Sequence, residues 1–171
     1  MRKIRIAKGV VLVLLVAMTA GLEVRKIAGR HHIRAQVWEF SKLNWICYAP
    51  TGYNPQRDAF PTVTSMRSDL QIIRDTGFDG IITYECSGIL ATIPEIAHEL
   101  GLEVILGVWG PANRDELRLA VTKKDKVVAY CIGNEGLGTR YQLWELDQGV
   151  TYVSNQTGLP TAISEQVHLY F

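Results

Sequence analysis

After residue 42, short apolar runs alternate with amphipathic segments along the chain. The apolar runs predict strands at 43–48, 80–84, 102–109, 126–132 and 160–165, and the run 127–132, which ends at a glycine, predicts a strand buried on both faces. Between the first two runs, Met66, Leu70 and Ile73 recur at helical spacing, which predicts a helix over 64–77. Repeated strand–helix units predict an α/β domain with a parallel sheet and right-handed crossovers.

Capping residues mark the ends of the other helices. Thr92 with Glu95, and Asn113 with Glu116, have the spacing of a capping box, and Pro94 suits a first helical turn. These pairs predict helices that begin near 92 and 114. A further helix, predicted over 139–157 with Gly158 at its end, should turn four apolar side chains inward: Leu143, Leu146, Val150 and Val153.

Polar and aromatic residues collect where the predicted strands end: Tyr48, Tyr84, Trp109, Asn134, Glu135 and Glu165. A doubly wound nucleotide-binding sheet should carry a glycine-rich phosphate turn, and neither G-x-G-x-x-G nor G-x-x-x-x-G-K occurs in the sequence. An eight-stranded (β/α)8 barrel of the TIM type places its active site at the carboxyl ends of its strands. We therefore predict such a barrel, truncated after about five strands.

The N-terminus differs from the rest of the chain. Residues 1–9 carry four basic side chains, and residues 10–22 carry no charge. This pattern predicts a signal peptide or membrane anchor over 1–24, with the protein secreted, periplasmic or anchored outside the cytoplasm. A basic linker is predicted over 25–41, ahead of the partial barrel at 42–171. The adjacent His31 and His32 fit this solvated linker better than a metal site.

The charge balance and the cysteine content indicate which binding partners and cofactors the protein is expected to have. The net charge is +1, with 18 basic and 17 acidic residues, which gives no reason to expect nucleic acid binding. Cys47, Cys86 and Cys131 lack metal-site spacing and are expected to be small buried thiols without a disulfide. No metal and no organic cofactor is implied.

Four segments carry a family resemblance: "ICYAP" (46–50), "IITYECSG" (81–88), "LEVILGVWG" (102–110) and "VVAYCIGNEGL" (127–137). In this order they resemble the first four strands of glycoside hydrolase family 17, and "TGLPTAISEQVHLY" (157–170) resembles the fifth strand of its bacterial branch. That family contains β-1,3-glucanases and glucan-transferring enzymes on an eight-stranded barrel. The resemblance implies a β-glucan substrate, with hydrolysis and transfer both left open.

The resemblance assigns roles to the end of the fourth strand. It implies that Glu135 is the general acid and base, and that Asn134 hydrogen-bonds the sugar hydroxyl next to the reacting carbon. A carboxyl group at a strand end is expected to be rigid and partly desolvated. The alternative is that Glu135 only stabilises a helix N-terminus. Tyr48 and Tyr84, and less clearly Trp109, are candidates for sugar stacking, whereas Trp38, Trp45 and Trp144 are expected to pack.

The second acid of a retaining glycosidase is missing. Such chemistry needs a nucleophilic carboxylate roughly 5 Å from the acid. The resemblance implies a glutamate in a Glu-Thr-Gly-Trp-Pro-like context on the seventh strand, and the sequence contains none. Glu165 falls at the fifth-strand position, where it is expected to bind substrate or a neighbouring side chain; the alternative is that Glu165 itself serves as the nucleophile. The rival interpretation is therefore a non-catalytic fragment, or a glucan-binding or scaffold remnant at the membrane.

Overall fold

The computed structural model describes residues 39–165. The predicted signal or anchor and most of the predicted linker lie outside these residues, so both stay predictions. The chain divides into two compact units, Met1–Lys42 and Leu43–Phe171, and the fold described below belongs to the second. Within 39–165, no helix is both long enough and apolar enough to cross a membrane.

Five parallel strands form one sheet. They are β1 (Trp45–Cys47), β2 (Gly80–Ile82), β3 (Glu103–Val108), β4 (Ala129–Ile132) and β5 (Thr161–Ile163), and their order in the sheet is their order in the sequence. This confirms the α/β class and the parallel sheet, and it is compatible with part of a barrel. The strands are shorter than predicted because the apolar runs continue past the paired residues, as at Val127, which is buried ahead of β4.

The two faces of the sheet are not equally covered. In-register neighbours share a face, and one face carries the buried side chains Ile81, Val104, Leu106, Val108, Tyr130 and Ile132. The helices pack their own apolar residues into the same core. The other face carries Cys47, Ile82, Ile105, Cys131 and Ala162, which are all partly or largely exposed, and the buried Ala129. Burial on both faces, predicted for the run 127–132, is therefore found in part: Ala129 is buried on this face and Tyr130 and Ile132 on the other, whereas Cys131 is only partly buried.

Four α-helices connect the strands: α1 (Val63–Asp75), α2 (Ile93–Glu99), α3 (Arg114–Val121) and α4 (Leu143–Thr157). Short 3-10 helices lie at Pro55–Arg57, Gly88–Thr92 and Lys124–Lys126. Helix α1 buries Met66 and Leu70, as its spacing predicts, and α4 ends at Gly158, which has the left-handed conformation of a C-terminal cap.

Two predicted caps behave differently from expectation. Thr92 does not cap α2, because the 3-10 helix before it continues into α2 and its hydroxyl donates to the Ile89 carbonyl at 2.7 Å. Glu95 pairs instead with Lys123 at 2.7 Å. Asn113 does cap α3, but Glu116 does not complete the capping box and turns inward.

Helix α4 begins later than predicted. Residues 139–142 belong to a loop, and a capping box between Gln142 and Glu145 starts the helix. As a result, Leu143 and Trp144 lie in the exposed first turn, with 63% and 60% of their surfaces accessible. The expectations that Leu143 faces inward and that Trp144 packs are both wrong.

Candidate functional site

The turn after β4 presents Glu135 at the carboxyl edge of the sheet. Gly133 and Glu135 both have left-handed backbone conformations, with φ of 78° and 51°. The Glu135 N–H donates to the Ser164 carbonyl at 2.7 Å, which ties the turn to the segment after β5. A left-handed non-glycine residue costs about 1–2 kcal/mol, and such residues cluster at functional sites. The Glu135 side chain is exposed, so the expected partial desolvation is absent among the described residues.

Tyr141 is hydrogen-bonded to this turn through its hydroxyl group. It is almost fully buried, and its hydroxyl accepts hydrogen bonds from the backbone N–H groups of Asn134 at 2.8 Å and Gly136 at 3.1 Å. The same hydroxyl donates to Glu165. Burial first, and then the hydrogen bond to Glu165, raise the pKa of Tyr141 to about 12, although the two backbone donors act in the opposite direction. Tyr141 is therefore a neutral hydrogen-bonding hub at physiological pH.

Glu165 is engaged through both carboxylate oxygens. One accepts from Tyr141, and the other accepts from the Leu137 N–H at 3.1 Å. Gly133 makes this arrangement possible, because a Cβ there would lie 2.5 Å from the Tyr141 hydroxyl and 2.9 Å from Glu165 Oε1. Of the two roles expected for Glu165, the structure places it against neighbouring protein groups. Its contact with substrate stays a prediction.

Trp109 lies beside the turn with one ring face occupied. Its surface is 40% exposed, and the Arg140 guanidinium carbon lies 3.8 Å from the centre of its ring. Arg140 also donates to the Asn134 carbonyl. The guanidinium therefore connects Trp109 to the residue before Glu135, and it takes ring area that sugar stacking would use. Arg140 was not predicted here, because no sequence motif marks it.

The two predicted stacking tyrosines have different surroundings. Tyr48 is 5% exposed, and its hydroxyl donates to Asp69 at 3.2 Å. Burial and the Asp69 charge raise the pKa of Tyr48. Tyr84 is 40% exposed, and the neighbouring Cys47, followed by burial, raises its pKa. The ring of Tyr84 is therefore accessible to a ligand. Tyr48 instead shares Asp69 with the Thr51 N–H in the loop after β1.

Tyr84 and Asn134 share a shallow cleft at the strand ends, of about 60 Å³. Its other lining residues include Gly107 and Ser164. Tyr48 lies outside this cleft and lines a smaller neighbouring one, which Tyr84 also borders. The structure thus brings Asn134 and Tyr84 together, as predicted, and leaves Tyr48 on a separate surface.

Other carboxylates of this edge hold loops. Glu116 is 5% exposed and accepts from the N–H groups of Cys86 at 3.0 Å, Trp109 at 2.8 Å and Gly110 at 2.9 Å. Glu85 accepts from Tyr53 at 2.5 Å and from Ser87 at 3.1 Å. Glu116 was predicted only as part of a helix cap, and Glu85 was not predicted to have a role. The sequence cannot distinguish the two roles of Glu116, because a helix cap and a buried hydrogen-bond acceptor both use a glutamate.

The described residues offer no metal centre. Within 39–165, no group of three or more His, Cys, Asp or Glu side chains is placed to hold an ion. The three cysteines are free thiols, and only Cys86 is fully buried, so the expectation of a buried thiol is wrong for Cys47. Burial, and then the Glu116 charge, raise the pKa of Cys86 to about 12, which leaves it an inert thiol.

The chemistry of this edge rests on one exposed carboxyl group beside an amide. Within 39–165, the Glu135 carboxylate has no hydrogen-bond partner, whereas those of Asp69, Glu85, Glu116 and Glu165 are all engaged. Glu135 is therefore free to exchange a proton with a bound oxygen atom. Within 39–165, Asp58 in the loop after β1 is a second exposed carboxylate without a hydrogen-bond partner, and its backbone is also left-handed, with φ of 51°.

Comparison with known proteins supports the fold. No protein-family model and no curated protein matches the chain. The crystal structure of an endo-laminarinase from Formosa Hel1_33_131 is similar, with 19% identity and a TM-score of 0.55. The similarity covers 67% of this chain and 38% of that one, so this chain spans less than half of the solved structure. The α/β architecture of residues 39–165 is thus one that a β-glucan-cleaving protein also uses.

Proposed function

We propose that this chain is a glycoside hydrolase family 17-like protein that engages β-glucan at the carboxyl edge of its sheet. Glu135 is its acid and base residue, and Asn134 and Tyr84 contact the sugar. The observation that carries the proposal is the exposed Glu135 carboxylate in a left-handed turn at the end of β4. The sequence resemblance supports the family, and the likeness to an endo-laminarinase supports the substrate class.

In this proposal the residues around Glu135 have separate tasks. In the retaining chemistry of that family, a nucleophilic carboxylate attacks the sugar carbon while Glu135 protonates the leaving glycosidic oxygen, and Glu135 then accepts the proton of the water or sugar hydroxyl that displaces this carboxylate. Tyr141, Glu165 and Arg140 position the turn. The protein acts outside the cytoplasm, reached through residues 1–24.

A second candidate function is glucan binding without cleavage. It is favoured by the engagement of Glu165, because both oxygens of the one remaining candidate nucleophile are bound by Tyr141 and the Leu137 N–H. Retaining cleavage needs a free carboxylate to form the glycosyl intermediate. We therefore expect residues 1–171 to bind β-1,3-glucan and not to cleave it.

Binding and cleavage of laminarin by the full 171-residue chain test the proposal. Calorimetry should detect binding of laminari-oligosaccharides, and Glu135→Gln and Asn134→Ala should weaken it by about ten-fold. Glu103→Gln is the matched control, since Glu103 is an exposed glutamate at the opposite end of β3. No binding by the wild type contradicts the proposal. Sustained cleavage lost in Glu165→Ala makes Glu165 the nucleophile and overturns the non-catalytic expectation.

A further inference from the structure

A cavity among the described residues lies away from Glu135. It measures about 310 Å³ and lies between the start of α3 and the middle of α4. This volume is at the lower end of the range for small-ligand sites, whereas the cleft beside Asn134 measures about 60 Å³. A ligand that the strand-end cleft cannot enclose therefore has room between these two helices.

A glycine allows a close contact between α4 and the loop before α3 at one end of the cavity. Gly149 of α4 contacts the loop before α3, and a Cβ there would lie 2.8 Å from the Pro111 carbonyl oxygen. The glycine lets this loop approach the helix at one end, while Leu117 and the ring of Tyr152 form apolar walls beside it. The site is thus bounded by two helices and a loop, with an apolar base.

Hydrogen-bond donors surround this apolar base. Arg114 and Arg118 are four residues apart on α3 and share one face, and Gln148 and Tyr152 have the same spacing on α4. No Asp or Glu side chain lines the cavity. Because two arginines, a glutamine and a tyrosine line the same cavity, an acceptor-rich and negatively charged group fits it.

The two arginines are available for such a ligand. Within 39–165, Arg114 has no carboxylate partner. Arg118 pairs with Asp115 at 3.2 Å, and both side chains are largely exposed, at 66% and 92%. An exposed pair of this kind contributes little free energy, so a bound anion can displace it. Two like charges at this spacing also repel each other, and a bound anion relieves that repulsion.

We propose that this cavity binds a small organic anion, a ring or short chain that carries a phosphate, sulfate or carboxylate group. The anionic group contacts Arg114 and Arg118, and the organic part lies against Leu117 and Tyr152. This site is separate from the glucan surface, and the proposal does not depend on glucan binding.

Calorimetric titration of the full chain tests the proposal with four probes: glucose 6-phosphate, glucuronate, glucose and inorganic phosphate. The first two should bind, at least about ten-fold more tightly than glucose, because only they combine a ring with a charge. The two anionic sugars distinguish a phosphate-selective from a carboxylate-selective site. Equal affinity for glucose and glucose 6-phosphate, or no binding of either anionic sugar, overturns the proposal.

Variants locate the binding. Arg114→Ala should weaken glucose 6-phosphate binding by about ten-fold, and Ala112→Phe should weaken it by filling the cavity while both guanidinium groups remain. Arg74→Ala is the matched control, an exposed arginine of α1 that pairs with Asp75. If Ala112→Phe alters the circular dichroism spectrum, Gln148→Ala replaces it. Unchanged affinity in Arg114→Ala, or an equal loss in Arg74→Ala, contradicts the assignment.

Discussion

Glu116 and Glu135 both lie beyond the carboxyl ends of the strands, Glu116 in the first turn of α3 and Glu135 directly after β4. Glu116 is 5% exposed and accepts three backbone N–H groups, two after β3 and one after β2. Glu135 is exposed and, within 39–165, has no side-chain partner. The carboxylate of Glu116 is thus bound within the fold, whereas the carboxylate of Glu135 is accessible.

The difference shows that carboxylates at one edge of the sheet are used unequally by the fold. The loops after β1, β2, β3 and β4 are each held by a carboxylate, from Asp69, Glu85, Glu116 and Glu165 respectively. The loop after β1 also presents an exposed carboxylate, that of Asp58, and the turn after β4 presents that of Glu135. The backbone of Glu135 has an unfavourable conformation that Tyr141 and the Ser164 carbonyl maintain. The left-handed conformation of Glu135 is therefore destabilising, and the hydrogen bonds of its neighbours offset this cost.

The largest effect is expected at Glu116. Glu116→Ala should lower the free energy of unfolding by about 3 kcal/mol, because three backbone N–H groups, one of them buried, lose a charged acceptor. Urea unfolding of the full chain, followed by circular dichroism, measures it. Asp115→Ala is the control at the adjacent exposed position and should change the same quantity by less than about 0.5 kcal/mol. A small loss in Glu116→Ala would mean that water reaches these N–H groups.

A smaller loss is expected at Tyr141. Tyr141→Phe should lower the free energy of unfolding by about 2 kcal/mol, because the N–H groups of Asn134 and Gly136 lose their acceptor. Tyr152→Phe is the control, since its hydroxyl has no hydrogen-bond partner within 39–165. Equal stability of the two variants would contradict the role of Tyr141 as a hub.

The pH dependence of the same variant sharpens this test. The pKa of Tyr141 is raised from its ordinary value near 10 to about 12 in the folded chain. Its contribution to stability is thus complete below pH 10 and is lost as the pH rises towards 12. The pKa of Tyr53 is also raised to about 12, so Tyr141→Phe should reduce the alkaline loss of stability without abolishing it.

The smallest effect is expected at Glu135 itself. Glu135→Gly should be about 1 kcal/mol more stable than Glu135→Ala, because only glycine adopts the left-handed conformation without a Cβ penalty. The comparison inverts the usual order, in which glycine is the less stable residue. Urea unfolding of both variants measures the difference. An alanine variant at least as stable as the glycine variant would show that the turn relaxes at no cost.

The amino-acid sequence by itself determined the architecture. The alternation of apolar runs and amphipathic segments predicted five parallel strands in sequence order, because burial of each run and helical spacing between runs are local properties. The ordered strand ends also placed Asn134 and Glu135 at one edge of the sheet. Caps were predicted where one residue decides them, as at Asn113 and Gly158.

Only the tertiary structure decided how each polar side chain is used. Glu116 and Glu135 are the same residue type at the same edge of the sheet, one in a helix and one after a strand, and their surroundings depend on which loops approach them from distant parts of the chain. Tyr48 and Tyr84 have different surroundings for the same reason, since Asp69 of α1 accepts a hydrogen bond from Tyr48 and not from Tyr84. The Arg140–Trp109 stack and the cavity between α3 and α4 also join residues that no local pattern relates. Local spacing specifies strands and helices, whereas burial and hydrogen-bond partners arise only when those elements pack.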